Sequence, residues 1–310
     1  MLDLKRGQQK RDFLSFADWK KEELLYLLHR AEELKQLRQR GVRYLPLAGK
    51  SVGLIFEKAS TRTRVSFEVG AHELGALALD LPVAQMQLGR GEPISDSSRV
   101  LSRYLHAVVI RTFAQSKLEE FATHATCPVI NGLTDLHHPC QVLADVFTAQ
   151  EKLHTVDGLK VAWIGDGNNM ANSWIEAAAI FGFELRLACP SGYLPDPTIL
   201  AWARKAGPGK VTLCASPLEA ATGANVVTTD VWASMGQEAQ AQARARAFAG
   251  YRVHTQLMAA ADRAAIVLHC LPAHRGEEID ADVLEGPQSA IFDEAENRLH
   301  VQKALLEALL

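Results

Sequence analysis

The sequence predicts an α/β protein with two doubly wound domains, each containing a central parallel sheet flanked by helices. Short apolar runs of strand length recur along the chain and alternate with segments that have the apolar spacing of helices. A chain of 310 residues is also too long for one ordinary hydrophobic core. Polar and glycine-rich motifs follow several of the runs, where ligands bind in such sheets. We therefore expect an active site in a cleft between the two domains.

Composition narrows the classes of function. The chain is 48% hydrophobic and 22% charged, as in globular proteins, and its net charge of −3 gives no field that would attract nucleic acid. The longest apolar runs are far too short to span a membrane, and the first residues lack the apolar segment of a secretory signal. Five scattered cysteines without a Cys-x-x-Cys pair argue against disulfides and structural zinc, so we expect a cytoplasmic protein.

The first domain is expected to cover residues 1–145. Asp18 is placed to cap a helix whose apolar residues run from Leu24 to Leu34. A strand over 51–56 and a helix over 65–74 form the first β–α step. Further strands are expected at 76–79, 107–110 and 128–130, and a helix over 141–152 leaves the domain.

The second domain is expected to cover residues 146–293 and to begin with a strand that ends at Gly165. Pro and Gly residues punctuate the connections that follow. A partly apolar helix over about 294–310 is expected to pack back on the first domain. Further strands are predicted at 185–188, 211–214, 226–228, 266–269 and 290–292.

The segment from Ser60 to Arg64 is the most informative motif. It carries three hydroxyls and two guanidinium groups between a predicted strand and a predicted helix. The free N–H groups and positive dipole of a helix N-terminus favour anions, and Arg62 adds a charge-assisted donor. The segment therefore indicates a phosphate site. The alternative is an N-capped surface helix with solvated arginines.

A glycine-rich turn follows the first strand of the second domain. Gly165 and Gly167 suit a dinucleotide site, but Met170 stands in place of a third glycine and the next strand lacks the acid that binds a ribose. Nicotinamide binding is therefore disfavoured. The turn either brings Asn168 and Asn169 to a ligand or uses its glycines for geometry alone.

Two further segments combine polar groups at predicted strand ends. His138 and Gln141 offer one donor for an oxygen and one amide for an NH2 group, although a lone His is more often structural. Cys270 follows a second-domain strand, either as a small buried residue or at a reacting centre. No ligands with zinc spacing surround either segment.

A third set suits an amino acid. Asp230 offers a carboxylate for an ammonium group, and Ser234 with nearby backbone N–H groups suits a carboxylate. Arg111 ends a predicted strand, and Gln87 begins a glycine-rich loop. Each of these last two is weak evidence alone, since arginines and such loops are usually solvent features.

Together these segments resemble the aspartate/ornithine carbamoyltransferase family. The resemblance covers nearly the whole chain in family order, and its joint match is specific. Two departures are Ala59, where relatives often have proline, and His137, where they often have an apolar residue; neither replaces a ligand. The matching segments are 56–63, 87–92, 138–141, 165–169, 230–236, 269–272 and 293–298.

The resemblance implies transfer of a carbamoyl group from carbamoyl phosphate to the δ-amine of L-ornithine, giving L-citrulline and phosphate in arginine metabolism. It implies no metal or organic cofactor, and it implies trimers in which Gln87 reaches the phosphate site of a neighbouring subunit. Carbamoyl phosphate would be held by Ser60, Thr61, Arg62, Thr63, Gln87, Arg111, His138, Gln141, Cys270, Leu271 and Arg298. Ornithine would be held by Asn169, Asp230, Ser234 and Met235, with Arg62, Arg111, His138 and Cys270 as the catalytic residues.

Other functions remain open at this point. Aspartate as the acceptor would call for an added cationic group, whereas this sequence offers Asp230. Putrescine and N-acetylornithine are less favoured acceptors. From other classes, a dinucleotide-dependent oxidoreductase is disfavoured, and a binding or regulatory subunit without catalysis would show no product with any amine.

Overall fold

The structure, a computed structural model, describes residues 10–87, 90–233 and 240–310. Contacts divide the chain into two units: the chain up to Ala144 with Asn297–Leu310, and Asp145–Glu296. Each unit has a parallel sheet flanked by helices, which confirms the predicted fold class. Within the described ranges, no helix is long and apolar enough to cross a membrane.

Unit 1 contains, in its described part, a four-stranded parallel sheet with the order β2-β1-β3-β4. The central strands are buried, as the continuous apolar runs predicted, whereas the edge strand β2 is largely exposed. Its strands are β1 (Ser51–Phe56), β2 (Leu77–Pro82), β3 (Ala107–Arg111) and β4 (Val129–Leu133). Its helices are α1 (Lys21–Gln39), α2 (Thr61–Glu73), α3 (Ile94–Leu101) and α4 (Gln115–His124), with a 3₁₀ turn at Val83–Gln85. Helix α5 (Pro139–Leu153) begins in unit 1 and continues into unit 2.

Unit 2 contains, in its described part, a five-stranded parallel sheet with the order β7-β6-β5-β8-β9. Its strands are β5 (Lys160–Ile164), β6 (Glu184–Ala188), β7 (Lys210–Leu213), β8 (Val226–Thr229) and β9 (Ile266–His269). Its helices are α6 (Asn169–Phe181), α7 (Pro197–Ala206), α8 (Pro217–Ala221), α9 (Ala241–Ala247), α10 (Thr255–Met258) and α11 (Ala281–Leu284). The last helix, α12 (Ile291–Leu309), begins in unit 2 and ends in unit 1.

The strand orders create a switch point in each sheet. In unit 1, β2 pairs with one side of β1 and β3 pairs with the other side. In unit 2 the same reversal separates β5 from β8. The loops that follow these strand pairs diverge and leave a crevice at the carboxyl edge of the sheet, where ligands of open α/β sheets bind.

Helix starts differ from the prediction at α1, α2, α5 and α12, and the first two differences have a clear cause. Helix α1 begins at Lys21 rather than after Asp18, because the Glu23 carboxylate accepts the backbone N–H of Lys20 at 2.8 Å and closes a capping box. Helix α2 begins at Thr61, four residues earlier than predicted. The hydroxyl-rich segment is therefore its first turn and not a preceding loop.

The predicted strand at 290–292 is wrong. Ala290 donates its backbone N–H to the carbonyl of Val267, and Ser289 forms an isolated bridge with the same residue. The chain then turns into α12, as the bond from Glu294 N to the carbonyl of Ala290 at 2.8 Å shows. Three consecutive apolar residues do not distinguish a strand from the first turn of a helix.

A buried histidine of α12 predicts an acid-sensitive fold. His300 is fully buried, and burial together with Lys303, Lys35 and Arg38 lowers its pKa from 6.5 to about 3. Below pH 6.5 the unfolded chain binds a proton that the folded chain does not. His300 alone should therefore lower the free energy of unfolding by about 2 kcal/mol between pH 7 and pH 5.

Denaturant unfolding at both pH values measures this effect. The variant His300→Gln should lose the contribution of His300, whereas His29→Gln, at an exposed site, should keep it. Some dependence should persist in the first variant because His138 titrates in the same direction. If the free energy of unfolding of His300→Gln depends on pH as strongly as that of the wild type, His300 is not the residue responsible.

Candidate active site

The first turn of α2 builds an anion site. Ser60 caps the helix, and its hydroxyl accepts the backbone N–H of Thr63 at 3.2 Å. Thr61 and Arg62 are exposed at this turn, and none of its described residues is acidic. The helix dipole is therefore left to be satisfied by an external anion rather than by a side chain of the same turn.

The C-terminal helix adds a guanidinium group beside this turn. Thr63 is fully buried, and its hydroxyl accepts a hydrogen bond from Arg298 Nη2 at 2.7 Å. Arg298 lies on α12 and is itself only 3% exposed. A residue 235 positions away in sequence is thus held against the predicted phosphate segment.

A bulge directs Arg111 at the end of β3. The pairing between β3 and β4 shifts between Ile110 and Arg111, which pairs with Leu133 and not with the preceding residue. The skipped residue is Gly132, where a Cβ would lie 3.1 Å from the carbonyl oxygen of Ile110. Bulges of this kind re-aim a side chain at a strand end. Arg111 is 9% exposed.

His138 and Gln141 enter from the start of α5. The His138 carbonyl accepts the backbone N–H of Gln141 at 3.2 Å and of Val142 at 3.3 Å, so the helix begins directly after this residue. Both side chains are buried. Burial lowers the pKa of His138 well below 6.5, and the charges of Arg298, Arg111 and Arg62 lower it further.

The lowered pKa has two consequences for unit 1. The charges of Arg62, Arg111 and Arg298 all lower it, so the structure places these three guanidinium groups within electrostatic range of His138. The lowered pKa also means that His138 is neutral at pH 7 and acts by hydrogen bonding, not by carrying charge. Gln87 is exposed, and its backbone carbonyl accepts the backbone N–H groups of Arg90 and Glu92.

In unit 2, Asp230 follows β8 and is 7% exposed. Its Oδ1 accepts the backbone N–H of Val231 at 2.8 Å and the thiol of Cys270 at 3.1 Å. Its Oδ2 accepts the amide of Asn168 at 2.8 Å. Three donors therefore fix the orientation of the carboxylate.

Asn168 is held as firmly as its partner. Its Oδ1 caps α6 by accepting the backbone N–H groups of Met170 at 3.0 Å and Ala171 at 3.2 Å, so its Nδ2 has to point at Asp230. The sequence indicated Asn169 as the ligand, and that residue is the first of α6. Ser234 and Met235, the other predicted ornithine residues, lie outside the described residues.

The glycine-rich turn before α6 is shaped by close packing. Gly165 has a φ of +141°, and a Cβ on Gly167 would lie 2.2 Å from the backbone of Leu194 and Pro195. The N–H of Gly167 donates to the carbonyl of Tyr193 at 2.8 Å. The glycines thus serve the geometry of the turn, which presents Asn168.

Hydrogen bonds from neighbouring residues fix the Cys270–Leu271 backbone at the end of β9. Leu271 has a φ of 56°, which is costly for a residue other than glycine. Its N–H donates to His269 Nδ1 at 2.9 Å, and His269 Nε2 pairs with the buried Glu278 at 3.1 Å. Glu294 accepts the backbone N–H of His269 at 2.8 Å. None of these supports was predicted from the sequence.

The thiol of Cys270 is protonated. Burial raises its pKa well above 9.0, and the charges of Asp230 and Glu294 raise it further. A protonated thiol donates a hydrogen bond and is a poor nucleophile. Cys270 therefore acts on the Asp230 carboxylate rather than as an attacking group.

Asp230, His269 and Cys270 also lie close enough to be considered as metal ligands, with donor atoms within 4.8 Å of one another. In this structure the thiol donates to Asp230, and both nitrogens of His269 are engaged by Leu271 and Glu278. The absence of a metal requirement stays a prediction.

A buried ion pair stabilises the segment that follows β8 and contains Asp230. Arg244 Nη1 donates to Asp166 at 2.7 Å and to the carbonyl of Trp232 at 2.8 Å, and both charged residues are buried. Burial raises the pKa of Asp166, against the effect of Arg244. The two residues are 78 positions apart, and no local pattern in the sequence indicates this pairing.

Each unit thus carries polar ligands at the switch point of its parallel sheet: an arginine-rich anion site in unit 1 and an oriented carboxylate in unit 2. These features define an α/β transferase that binds a phosphorylated donor and an amine. The chain belongs to the aspartate/ornithine carbamoyltransferase family. Residues 11–151 match the family's carbamoyl-P binding domain, and residues 157–309 match its Asp/Orn binding domain.

Individual relatives agree with this membership. The chain is 56% identical to the ornithine carbamoyltransferase of Pelobacter propionicus over 300 residues, covering 97% of this chain and 98% of that protein. It is 54% identical to the anabolic ornithine carbamoyltransferase of Pseudomonas aeruginosa, covering 97% of each. The solved structure of ornithine carbamoyltransferase from Pyrococcus furiosus matches with a TM-score of 0.92 at 45% identity, covering 96% of each chain.

Proposed function

We propose that this chain transfers the carbamoyl group of carbamoyl phosphate to the δ-amine of L-ornithine, giving L-citrulline and phosphate. The observation that carries the assignment is the anion site at the N-terminus of α2, where Arg298 donates to Thr63 and the charges of Arg62, Arg111 and Arg298 all act on His138. Such a site suits a dianionic phosphate next to a carbonyl. The names of the relatives support the reaction and its substrates.

In unit 1, the donor's phosphate would be bound by Ser60, Thr61, Arg62, Thr63 and Arg111, and its carbonyl oxygen by Thr63, Arg111 and His138. Gln141, Arg298 and the carbonyls of Cys270 and Leu271 would bind the carbamoyl NH2 end. The oxyanion formed on attack needs donors already in place, each worth about 3–4 kcal/mol in comparable sites. Because His138 is neutral, arginines rather than a histidine proton neutralise the departing phosphate.

The acceptor must react as a neutral amine. An alkyl amine has an ordinary pKa of about 10.4, so at pH 7 about one molecule in 2,500 is unprotonated. Binding it neutral costs on the order of 4 kcal/mol, which desolvation and the nearby guanidinium charges reduce. The amine then attacks the carbamoyl carbon directly, through a tetrahedral intermediate.

Asp230 favours ornithine over aspartate. A carboxylate fixed by three donors suits an ammonium group of the amino acid, whereas aspartate would bring a second carboxylate toward it. Asn169, Ser234 and the backbone of Met235 would complete the head-group site. We expect putrescine and N-acetylornithine, which lack part of the zwitterionic head, to be weaker acceptors.

One assay tests this function. Colorimetric detection of the ureido product, run with ornithine, aspartate and putrescine in parallel, should give product with ornithine. Product with aspartate alone would reassign the acceptor within the family. No product with any amine would favour a binding subunit without catalysis.

The proposed setting is arginine metabolism in the cytoplasm, as arginine biosynthesis and the urea cycle. The anabolic relative supports the direction. All five cysteines are free thiols, which fits a reducing compartment.

We also propose that the chain forms trimers through the edge of the unit 1 sheet. Among the described residues, strand β2 pairs on one side only, and it presents Leu77, 59% exposed, and Leu79, 38% exposed. An exposed apolar edge strand is usually covered in a native protein. In such a trimer the exposed Gln87 would reach the phosphate site of a neighbouring subunit.

Sedimentation measures this assembly. The wild-type mass should be three times 33.9 kDa or a multiple of that, and replacing Leu77 and Leu79 together by lysine should release monomers. Leu218→Lys, at a 58% exposed leucine of unit 2, should leave the mass unchanged. A monomeric wild type would exclude the trimer.

A further inference from the structure

Three neighbouring loops of unit 1 carry the predicted phosphate ligands, and backbone contacts hold them side by side. They follow β1, β3 and β4. Glu57 N donates to the carbonyl of Arg111 at 2.9 Å, and Thr112 N donates to the carbonyl of Leu133 at 3.0 Å. Beyond these bonds the strands have ended, so contacts between the loops themselves have to keep them in register.

Asp135 joins all three loops. Its carboxylate accepts a hydrogen bond and ion pair from Lys58, in the loop after β1. Its backbone N–H donates to the carbonyl of Phe113 at 2.8 Å, in the loop after β3. Lys58 Nζ also lies 4.2 Å from the centre of the Phe113 ring, within the range of a cation–π interaction. We call these three residues the loop clasp.

The loop clasp lies close in sequence to the site residues of each loop. Lys58 precedes Ser60 by two residues, Phe113 follows Arg111 by two, and Asp135 precedes His138 by three. A shift of the clasp therefore moves the helix-capping hydroxyl, the guanidinium group and the imidazole relative to one another. A misplacement of about 1 Å remote from the chemistry can cost about a hundredfold in rate.

The two charged residues of the loop clasp differ in burial. Lys58 is 8% exposed, whereas the Asp135 side chain is 61% exposed. Exposed ion pairs are usually worth little, but removing the partner of a buried charge leaves that charge unpaired. Lys58 would then have to move toward water and take its loop with it. The consequence of losing Asp135 is thus a displaced loop rather than a lost surface contact.

We propose that Asp135 is a positioning residue for the carbamoyl phosphate site, acting through Lys58 and Phe113; this inference rests on the proposed function. Asp135 does not touch substrate. It fixes the spacing of the three loops whose residues do, and its removal weakens donor binding while leaving acceptor binding intact.

The variant Asp135→Asn tests this role. It keeps the shape and the backbone bond to Phe113 but removes the charge that holds Lys58. We expect kcat/KM for carbamoyl phosphate to fall about tenfold, mainly through KM, with the KM for ornithine within about twofold of wild type. Calorimetry with inorganic phosphate should show a matching loss of affinity without relying on turnover.

A matched control and a second variant separate positioning from stability. Glu285→Gln removes an exposed carboxylate that pairs with Arg275 in unit 2, and it should change neither constant. Combining Lys58→Met with Asp135→Asn removes the buried charge. The melting temperature, which an unpaired buried Lys58 lowers in Asp135→Asn, should then return toward the wild-type value. The KM for carbamoyl phosphate should stay above the wild-type value.

The outcomes divide cleanly. If the wild-type protein makes no ureido product, the proposed function is wrong. If the wild type is active and Asp135→Asn keeps its kinetics with carbamoyl phosphate and its phosphate affinity, only the positioning role is wrong. Recovery of the KM together with the melting temperature in the double variant would also overturn it, because the effect would then be one of stability.

Discussion

Replacing Arg62 by alanine should lower kcat/KM for carbamoyl phosphate by about three orders of magnitude while the protein stays folded. The loss corresponds to about 4 kcal/mol of transition-state stabilisation, the lower range for an arginine that neutralises a transferring phosphate. Arg62 is exposed at the first turn of α2, and alanine is a good helix former, so stability should change little.

The size of this effect follows from what remains in the site. His138 is neutral, because burial and the charges of Arg298, Arg111 and Arg62 lower its pKa. It is therefore poorly suited to replace the missing charge by protonating the departing phosphate. Arg111 and Arg298 remain, but Arg298 donates to Thr63 and is committed in part to holding the helix.

Arg64 provides the matched control on the same helix. It is exposed and pairs with Asp80 at 3.0 Å, outside the arginine cluster around His138. Arg64→Ala should cost only the small contribution of a surface ion pair and leave both kinetic constants near wild type. Steady-state kinetics on both variants decides the matter. Near-normal turnover of Arg62→Ala, or equal losses in the two variants, would contradict the site.

The anion site could be predicted because its signal is local. Ser60 to Thr63 form one consecutive stretch whose residue types suit a helix N-terminus. The predicted position of the helix was late because a run of hydroxyl and arginine residues has no apolar periodicity. The hydrogen bonds from Thr63 N to the Ser60 hydroxyl and from Arg64 N to the Ser60 carbonyl show that the helix begins inside the motif.

The supporting residues could not be predicted, because their partners are distant in sequence. Lys58 and Asp135 are 77 positions apart, and Arg244 and Asp166 are 78 apart. Each is an ordinary charged residue on its own strand-end loop or helix, and its role depends on which strands become neighbours. The role of Asn168 rather than Asn169 at Asp230 depends on which of the two becomes the helix cap.

The second large effect is expected at Asp230. Asp230→Asn should lower kcat/KM for ornithine about a hundredfold and leave the KM for carbamoyl phosphate near wild type, because Asp230 serves the acceptor. The substitution is isosteric but removes the negative charge. It also places an amide NH2 against either the NH2 of Asn168 or the donors on Oδ1, and each arrangement loses at least one bond.

Two further variants test whether the effect of Asp230→Asn comes from the lost carboxylate charge. Cys270→Ala removes one of the three donors and no charge, so its loss should be about tenfold and also confined to ornithine. Asp196→Asn changes an aspartate of unit 2 that caps α7, where asparagine caps equally well, and it should be silent. If the protonated thiol were the attacking group, Cys270→Ala would instead exceed Asp230→Asn and abolish turnover with both substrates saturating. The order Asp230→Asn, then Cys270→Ala, then Asp196→Asn therefore separates a carboxylate that binds the amino acid from a thiol that performs the chemistry.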